Sequence, residues 1–134
     1  MSINLVRGAA TTGITNSFDV SKVISVDMDM FPPSQAFRGY ISLIVVQLSN
    51  LSTDTKPTTI TMRICRDQTG DEMIVTDTTS SLFYGLTDST DGSAIFALNA
   101  YTGLTENDDL YCFVKTNQGT CDVDYFEIVW QGER

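Results

Sequence analysis

Apolar and polar positions alternate with a period of two along most of this chain. Ile24, Val26, Met28 and Met30 alternate with Ser25, Asp27 and Asp29, the pattern of a half-buried strand. Pro32-Pro33 ends that run. Residues 39–47 (GYISLIVVQ) are apolar on both faces, which predicts a strand in the middle of a sheet. After a polar loop at 49–57, Ile60, Met62 and Ile64 alternate with Thr59, Thr61 and Arg63. Further strands are predicted at 72–76, 81–86, 94–98, 110–116 and 121–130. Turn residues separate them: Gln68-Thr69-Gly70-Asp71, Asp91-Gly92, Gly103 and the acidic cluster 106–109. No window of a dozen residues carries a helical stripe, and 99–105 has room for one helical turn at most. About eight short strands joined by turns predict an all-β fold, an antiparallel β-sandwich of jelly-roll type.

Two segments depart from this rhythm. Residues 1–18 are rich in Gly, Thr and Ala and read as an extended N-terminal arm. Such an arm needs something to hold it, either its own domain or a neighbouring subunit. Residues 19–134 then form a single β-sandwich domain. In the last strand, Val123 and Tyr125 are apolar on one parity, and Phe126, Ile128 and Trp130 on the other. Either a β-bulge switches faces there, or the strand is covered on both sides. Strands 110–116 and 121–130 flank the turn-like Asn117-Gln118-Gly119 and predict a closing hairpin. In that hairpin Cys112 and Cys121 are diagonal neighbours, too far apart for a relaxed disulfide.

Composition narrows the function. A chain of 134 residues is one domain by size, large enough for a real core. Its net charge of −9 and the absence of any basic run argue against nucleic acid and anionic membrane as partners. The N-terminus lacks the apolar stretch of a signal peptide, which predicts synthesis in the cytoplasm. The longest apolar run, residues 41–48, is too short to span a bilayer. An odd number of cysteines, three, argues against a disulfide framework. Eighteen threonines supply β-branched polar surface.

Candidate chemistry is sparse. With no histidine in the chain, Ser-His-Asp and Cys-His catalysis and imidazole metal sites are excluded. Asp27/Asp29 and Asp122/Asp124 have the spacing of paired carboxylates, about 7 Å along a strand, but any polar strand face produces it. The expectation is a protein that is not an enzyme and carries no cofactor. Calcium is the one metal considered, with Asp88, Asp91, Asp108 and Asp109 as weak candidate ligands. Ile3, Leu5, Val6, Phe126, Ile128 and Trp130 are the candidate partner contacts. An exposed, coplanar set from Tyr84, Tyr101, Tyr111 and Trp130 would instead mark a carbohydrate- or receptor-binding module. A small-molecule barrel would need a cavity, against which the bulky Ile, Met and Phe positions argue.

The arm 1–18, the Thr-rich alternating strands and the C-terminal strands ending at Trp130 resemble, in overall style, the small all-β auxiliary virion proteins of tailed bacteriophages. These are capsid decoration (cement) proteins and small tail or fibre domains. The resemblance implies a non-enzymatic structural protein that decorates or cements a phage capsid. It also implies contacts to the capsid lattice of other virion proteins, a symmetric homo-oligomer such as a trimer, and residence in the virion.

Overall fold

The computed structural model describes residues 2–26, 37–84, 90–104 and 110–133. Nine strands run through them: β1 (Ser2–Gly8), β2 (Thr11–Ile14), β3 (Ile24–Val26), β4 (Phe37–Ser49), β5 (Thr59–Cys65), β6 (Met73–Tyr84), β7 (Gly92–Leu104), β8 (Leu110–Thr116) and β9 (Cys121–Glu133). A single 3₁₀ turn, Val20–Lys22, separates β2 from β3; the Asp19 carboxylate caps it by accepting from the Ser21 backbone N–H at 2.9 Å. All the pairings are antiparallel. Their order is β1-β9-β4-β7-β6-β5-β8-β3, with β2 also on β9.

The sheet curls until its two ends meet. Gly8 in β1 lies so close to β3 that a Cβ there would press into the Ile24 and Val26 side chains. The Thr116 N–H of β8 donates to the Thr15 carbonyl just beyond β2, at 2.9 Å. The result is a nearly closed, barrel-like body. Its interior is filled by Ile14, Ile24, Ile41, Ile44, Leu48, Ile60, Met62, Ile64 and Phe126, among others. As expected from its apolar run, β4 is central, flanked by β9 and β7.

The N-terminal arm docks on its own domain. β1 pairs with β9 over seven residues, from Ser2↔Gly132 to Gly8↔Phe126. The same register resumes at Thr11↔Val123 and slips by one before Ile14↔Cys121. β1 and β2 are therefore one bulged edge strand laid along β9. The parity switch within β9 also has its cause. Gln47 pairs with Tyr125 and Leu48 with Val123, which leaves Asp124 as a bulged residue. The bulge turns Val123 and Phe126 to the same interior although they are three apart. A second bulge, at Ser42, does the same for Ile41 and Ile44 on β4.

Two expectations are corrected, and one segment without a strand assignment is placed. The closing hairpin does not form: β8 pairs with β5 and β3, while β9 pairs with β1, β2 and β4. Asn117-Gln118-Gly119 is a corner, because segment 52–59 takes up its polar groups. Asn117 Oδ1 accepts from the N–H groups of Thr58 and Thr59 at 2.9 and 3.2 Å, and Gln118 Nε2 donates to the Lys56 carbonyl at 2.7 Å. Ser52 N–H donates to the Thr120 carbonyl at 2.9 Å. Segments 72–76 and 81–86, read as two strands, are within the described residues one strand, β6, since Thr76, Thr78 and Thr79 between them suit extended backbone. The room for a helical turn at 99–105 is taken by strand: β7 continues to Leu104, paired with β4 through Phe37↔Leu104.

Candidate interaction surface

The outward face of β1, β9, β4, β7 and β6 is best read as transverse rows, because directly paired residues share a side of the sheet. The first row is Leu5, Val129, Leu43 and Ala97, entirely apolar. The second is Arg7, Glu127, Val45 and Ile95. The third is Tyr125, Gln47, Ser93 and Phe83. Leu5 is 58% exposed, Ile95 44% and Phe83 58%; Leu43, Val45 and Val129 are half-buried.

Charge on these rows cancels internally. Arg7 donates to Glu127 Oε2 through Nε at 3.1 Å and through the terminal nitrogen at 2.7 Å. The same guanidinium sits 4.4 Å over the Tyr125 ring. The Glu127 hydrogen bond raises the Arg7 pKa above its ordinary value. On a chain of net charge −9, the three rows hold one balanced ion pair and no other charged residue.

The expected contact residues divide accordingly. Leu5 stands on this face. Phe126 and Ile128 do not: they are 0% and 1% exposed inside the core, because the bulge at Asp124 turns them inward. They offer no surface to a partner. The backbones of Ile3, Val6 and Trp130 are paired with Gln131, Ile128 and Asn4, but their side chains, with that of Tyr101, lie outside the described residues. Arg7, Glu127, Ile95 and Phe83 were not singled out from sequence. The signal available for Ile95 was that 94–98 (AIFAL), like 39–47, is apolar on both parities.

The other end of the arm is latched to a separate cluster. The Phe18 ring meets Phe113 edge-on at 6.4 Å, with the Arg63 guanidinium 4.4 Å and the Lys115 ammonium 4.7 Å from its centroid. Arg63 is held by Asp77 in a two-pronged pair at 2.5 and 3.0 Å, which lowers the Asp77 pKa. Phe113 is buried although it neighbours the core residues Cys112 and Val114 in sequence. This cluster fastens 15–19 to the domain.

The remaining candidates do not converge on chemistry. Cys65, Cys112 and Cys121 are free and buried. Burial pushes the Cys121 thiol up to about 12 and the other two upward, which disfavours the thiolate form. Among the described residues no group of three or more Cys, Asp or Glu side chains could hold a metal. Asp91 is exposed; Asp88, Asp108, Asp109, Asp27 and Asp29 lie outside the described residues. Asp122 Oδ1 accepts from the Gly13 N–H at 2.9 Å and Oδ2 from Asn50 at 2.7 Å, and Asp124 accepts from Ser49 at 2.6 Å. That carboxylate pair ties strands together. Tyr84 donates through its hydroxyl to the Pro57 carbonyl and takes the Lys56 ammonium at 4.2 Å over its ring. Tyr111, on β8, is half-buried.

One acidic loop has a measurable consequence. Asp67 accepts from the Thr69 hydroxyl and from the N–H groups of Asp71 and Glu72 at 3.0 and 2.8 Å. The Thr69 bond, followed by the two backbone donors, lowers its pKa from 3.8 to about 2. A depressed folded-state pKa contributes stability above the unfolded value and loses it as pH falls through the folded one. Asp67→Ala is therefore expected to flatten the stability-versus-pH curve between about pH 4 and pH 2. Urea midpoints of both proteins across that window check it, and parallel curves would refute the role given to Asp67.

No helix among the described residues is long and apolar enough to cross a membrane. No protein-family model and no curated protein sequence matches this chain.

Proposed function

We propose that this chain is a non-enzymatic structural protein of a virion, a jelly-roll sandwich that decorates or cements a phage capsid. Copies of itself come first among its partners. The jelly-roll reading is supported by the strand order, which divides at β6 into β1-β9-β4-β7 and β6-β5-β8-β3, two four-stranded sets with the interleaving of that fold. The observation that carries the functional reading is the outward apolar row Leu5, Val129, Leu43 and Ala97, continued by Val45 and Ile95. Contiguous exposed apolar surface marks an interface. Its neutrality says which partner suits it: acidic chains repel through most of their surfaces, but two of these faces meet without like-charge contact.

Light scattering on the purified chain is expected to show a symmetric oligomer, strengthened by salt because screening weakens the repulsion outside the contact. Leu5→Lys with Ile95→Lys is expected to weaken association by at least about tenfold, since each ammonium must be desolvated at the contact. Both positions are exposed, so the protomer should keep its fold, read as an unchanged far-UV circular dichroism spectrum, while its unfolding temperature falls only as far as the lost association accounts for. A wild-type monomer at all concentrations, or a double variant that assembles and occupies particles like wild type, would overturn the proposal.

A further inference from the structure

A cleft of about 270 Å³ opens where the third outward row reaches the ends of β6 and β7, lined by Gln47, Phe83, Tyr84, Asp91, Gly92 and Ser93. We propose that this cleft, at the margin of the outward face beyond its apolar rows, is a binding site for a neutral saccharide, one or two pyranose rings in size.

Its walls differ in chemistry, and the difference selects the ligand. Phe83 presents a largely exposed ring. The negative π-face of such a ring takes the apolar C–H face of a pyranose, whose hydrogens carry partial positive charge. Beside it, in register, stand Ser93 and Gln47. The Ser93 hydroxyl has no hydrogen-bond partner among the described residues, and the Gln47 amide makes only a long contact, 3.5 Å to the Leu48 carbonyl. One hydroxyl and one amide, next to the Asp91 carboxylate, supply the donors and acceptors that sugar hydroxyls require.

The far wall is fixed in place. Tyr84 is anchored by its hydroxyl on the Pro57 carbonyl and by Lys56 over its ring. Little ordering is therefore left to be done when a ligand arrives. Gly92 also lines the cleft; a Cβ there would come within 3.3 Å of the Leu51 side chain and the Phe83 carbonyl.

Alternatives fit less well. The cleft is just smaller than ordinary ligand pockets, which run about 300–1,000 Å³ and are predominantly apolar; this one is open and mixed, which disfavours a buried hydrophobic ligand. Asp91 and the net charge of −9 disfavour phosphates, sulfates and sialylated sugars. A single exposed ring suits weak, millimolar recognition of one sugar unit, of use when many copies act together.

The test is a ¹⁵N-amide titration of the full chain with the methyl pyranosides of glucose, galactose, mannose and N-acetylglucosamine, each to about 10 mM, a range that reads millimolar affinities. At least one is expected to shift the amides of Phe83, Tyr84, Gly92 and Ser93. Phe83→Ala should weaken that binding about tenfold and Phe83→Tyr should retain it, with core amides such as Ile44 and Phe96 unmoved in both. Phe83→Ala should leave the oligomeric state alone, and Leu5→Lys with Ile95→Lys should leave the sugar shifts alone, so either reading can fail without the other. No shift at the cleft with any of the four sugars, or unchanged affinity in Phe83→Ala, would overturn the proposal.

Discussion

Phe126→Ala is expected to cost about 3–5 kcal/mol of folding stability, the range for deleting a buried aromatic ring. Phe126 is among the largest fully buried side chains, and it is paired on one side with Gly8 and on the other with Val46. The cavity left would lie beneath the joint where β1 approaches β3. Gly8 has no side chain with which to fill it, and Ile24 and Val26 already press on that backbone. Collapse around the hole is therefore limited, which places the cost toward the upper part of the range. Urea unfolding should show a lower midpoint with an unchanged slope. The result separates two roles for the same residue: a contact reaching a partner would lose association and keep stability. Stability within 1 kcal/mol of wild type, on the order of a surface substitution, would mean the ring is not where the core requires it.

Gly119→Ala is the second large effect, about 2–4 kcal/mol. Two costs add. Gly119 has φ of +65°, a left-handed conformation in which a non-glycine residue pays about 1–3 kcal/mol. A Cβ would also overlap the Thr55 carbonyl and the Ser52 hydroxyl. Those atoms are themselves bonded, Ser52 Oγ donating to the Thr55 carbonyl at 2.8 Å and accepting from the Thr120 N–H at 3.0 Å. Relieving the overlap therefore breaks the bonds that fasten the corner 117–120 to segment 52–59. The change should appear in denaturant unfolding, and also as faster amide exchange at Asn117 and Thr120. A Gly119→Ala protein as stable as wild type would show that the corner is not built in this way.

Much of the fold was legible in alternation alone, because a period of two reports directly which strands have a buried face. Residues 39–47 also announced a central strand. Pairing was harder to read. Asn117-Gln118-Gly119 has the composition of a hairpin turn, yet its partners are Thr58, Thr59 and Lys56, some 60 residues away in sequence, and nothing local encodes that. The two-parity pattern at 123–130 held two explanations until register could be read. The bulge at Asp124 then moved Phe126 and Ile128 from expected contacts to core. Of the interaction surface, Leu5 was visible, with Ile3 and Val6, in the brief apolar segment of the arm. Ile95 and Phe83 were not, since in runs apolar on both parities, such as 94–98 and 82–84, the pattern does not say which residue faces the interior and which a neighbour. The rows they form exist only across strands β1, β9, β4, β7 and β6, which are scattered over the whole sequence.

Because β9 runs between β1 and β4, β1 completes its hydrogen bonds only with a strand made more than a hundred residues later. Until residues 121–133 emerge from the ribosome, β1 and β4 have no common neighbour, and the hydrophobic segment 41–48 waits with one flank bare. Folding dominated by such distant pairings is slow and exposes sticky intermediates. A nascent chain of this kind depends on the speed of its final step, so truncations near the C-terminus are expected to leave insoluble product and not a shorter folded domain.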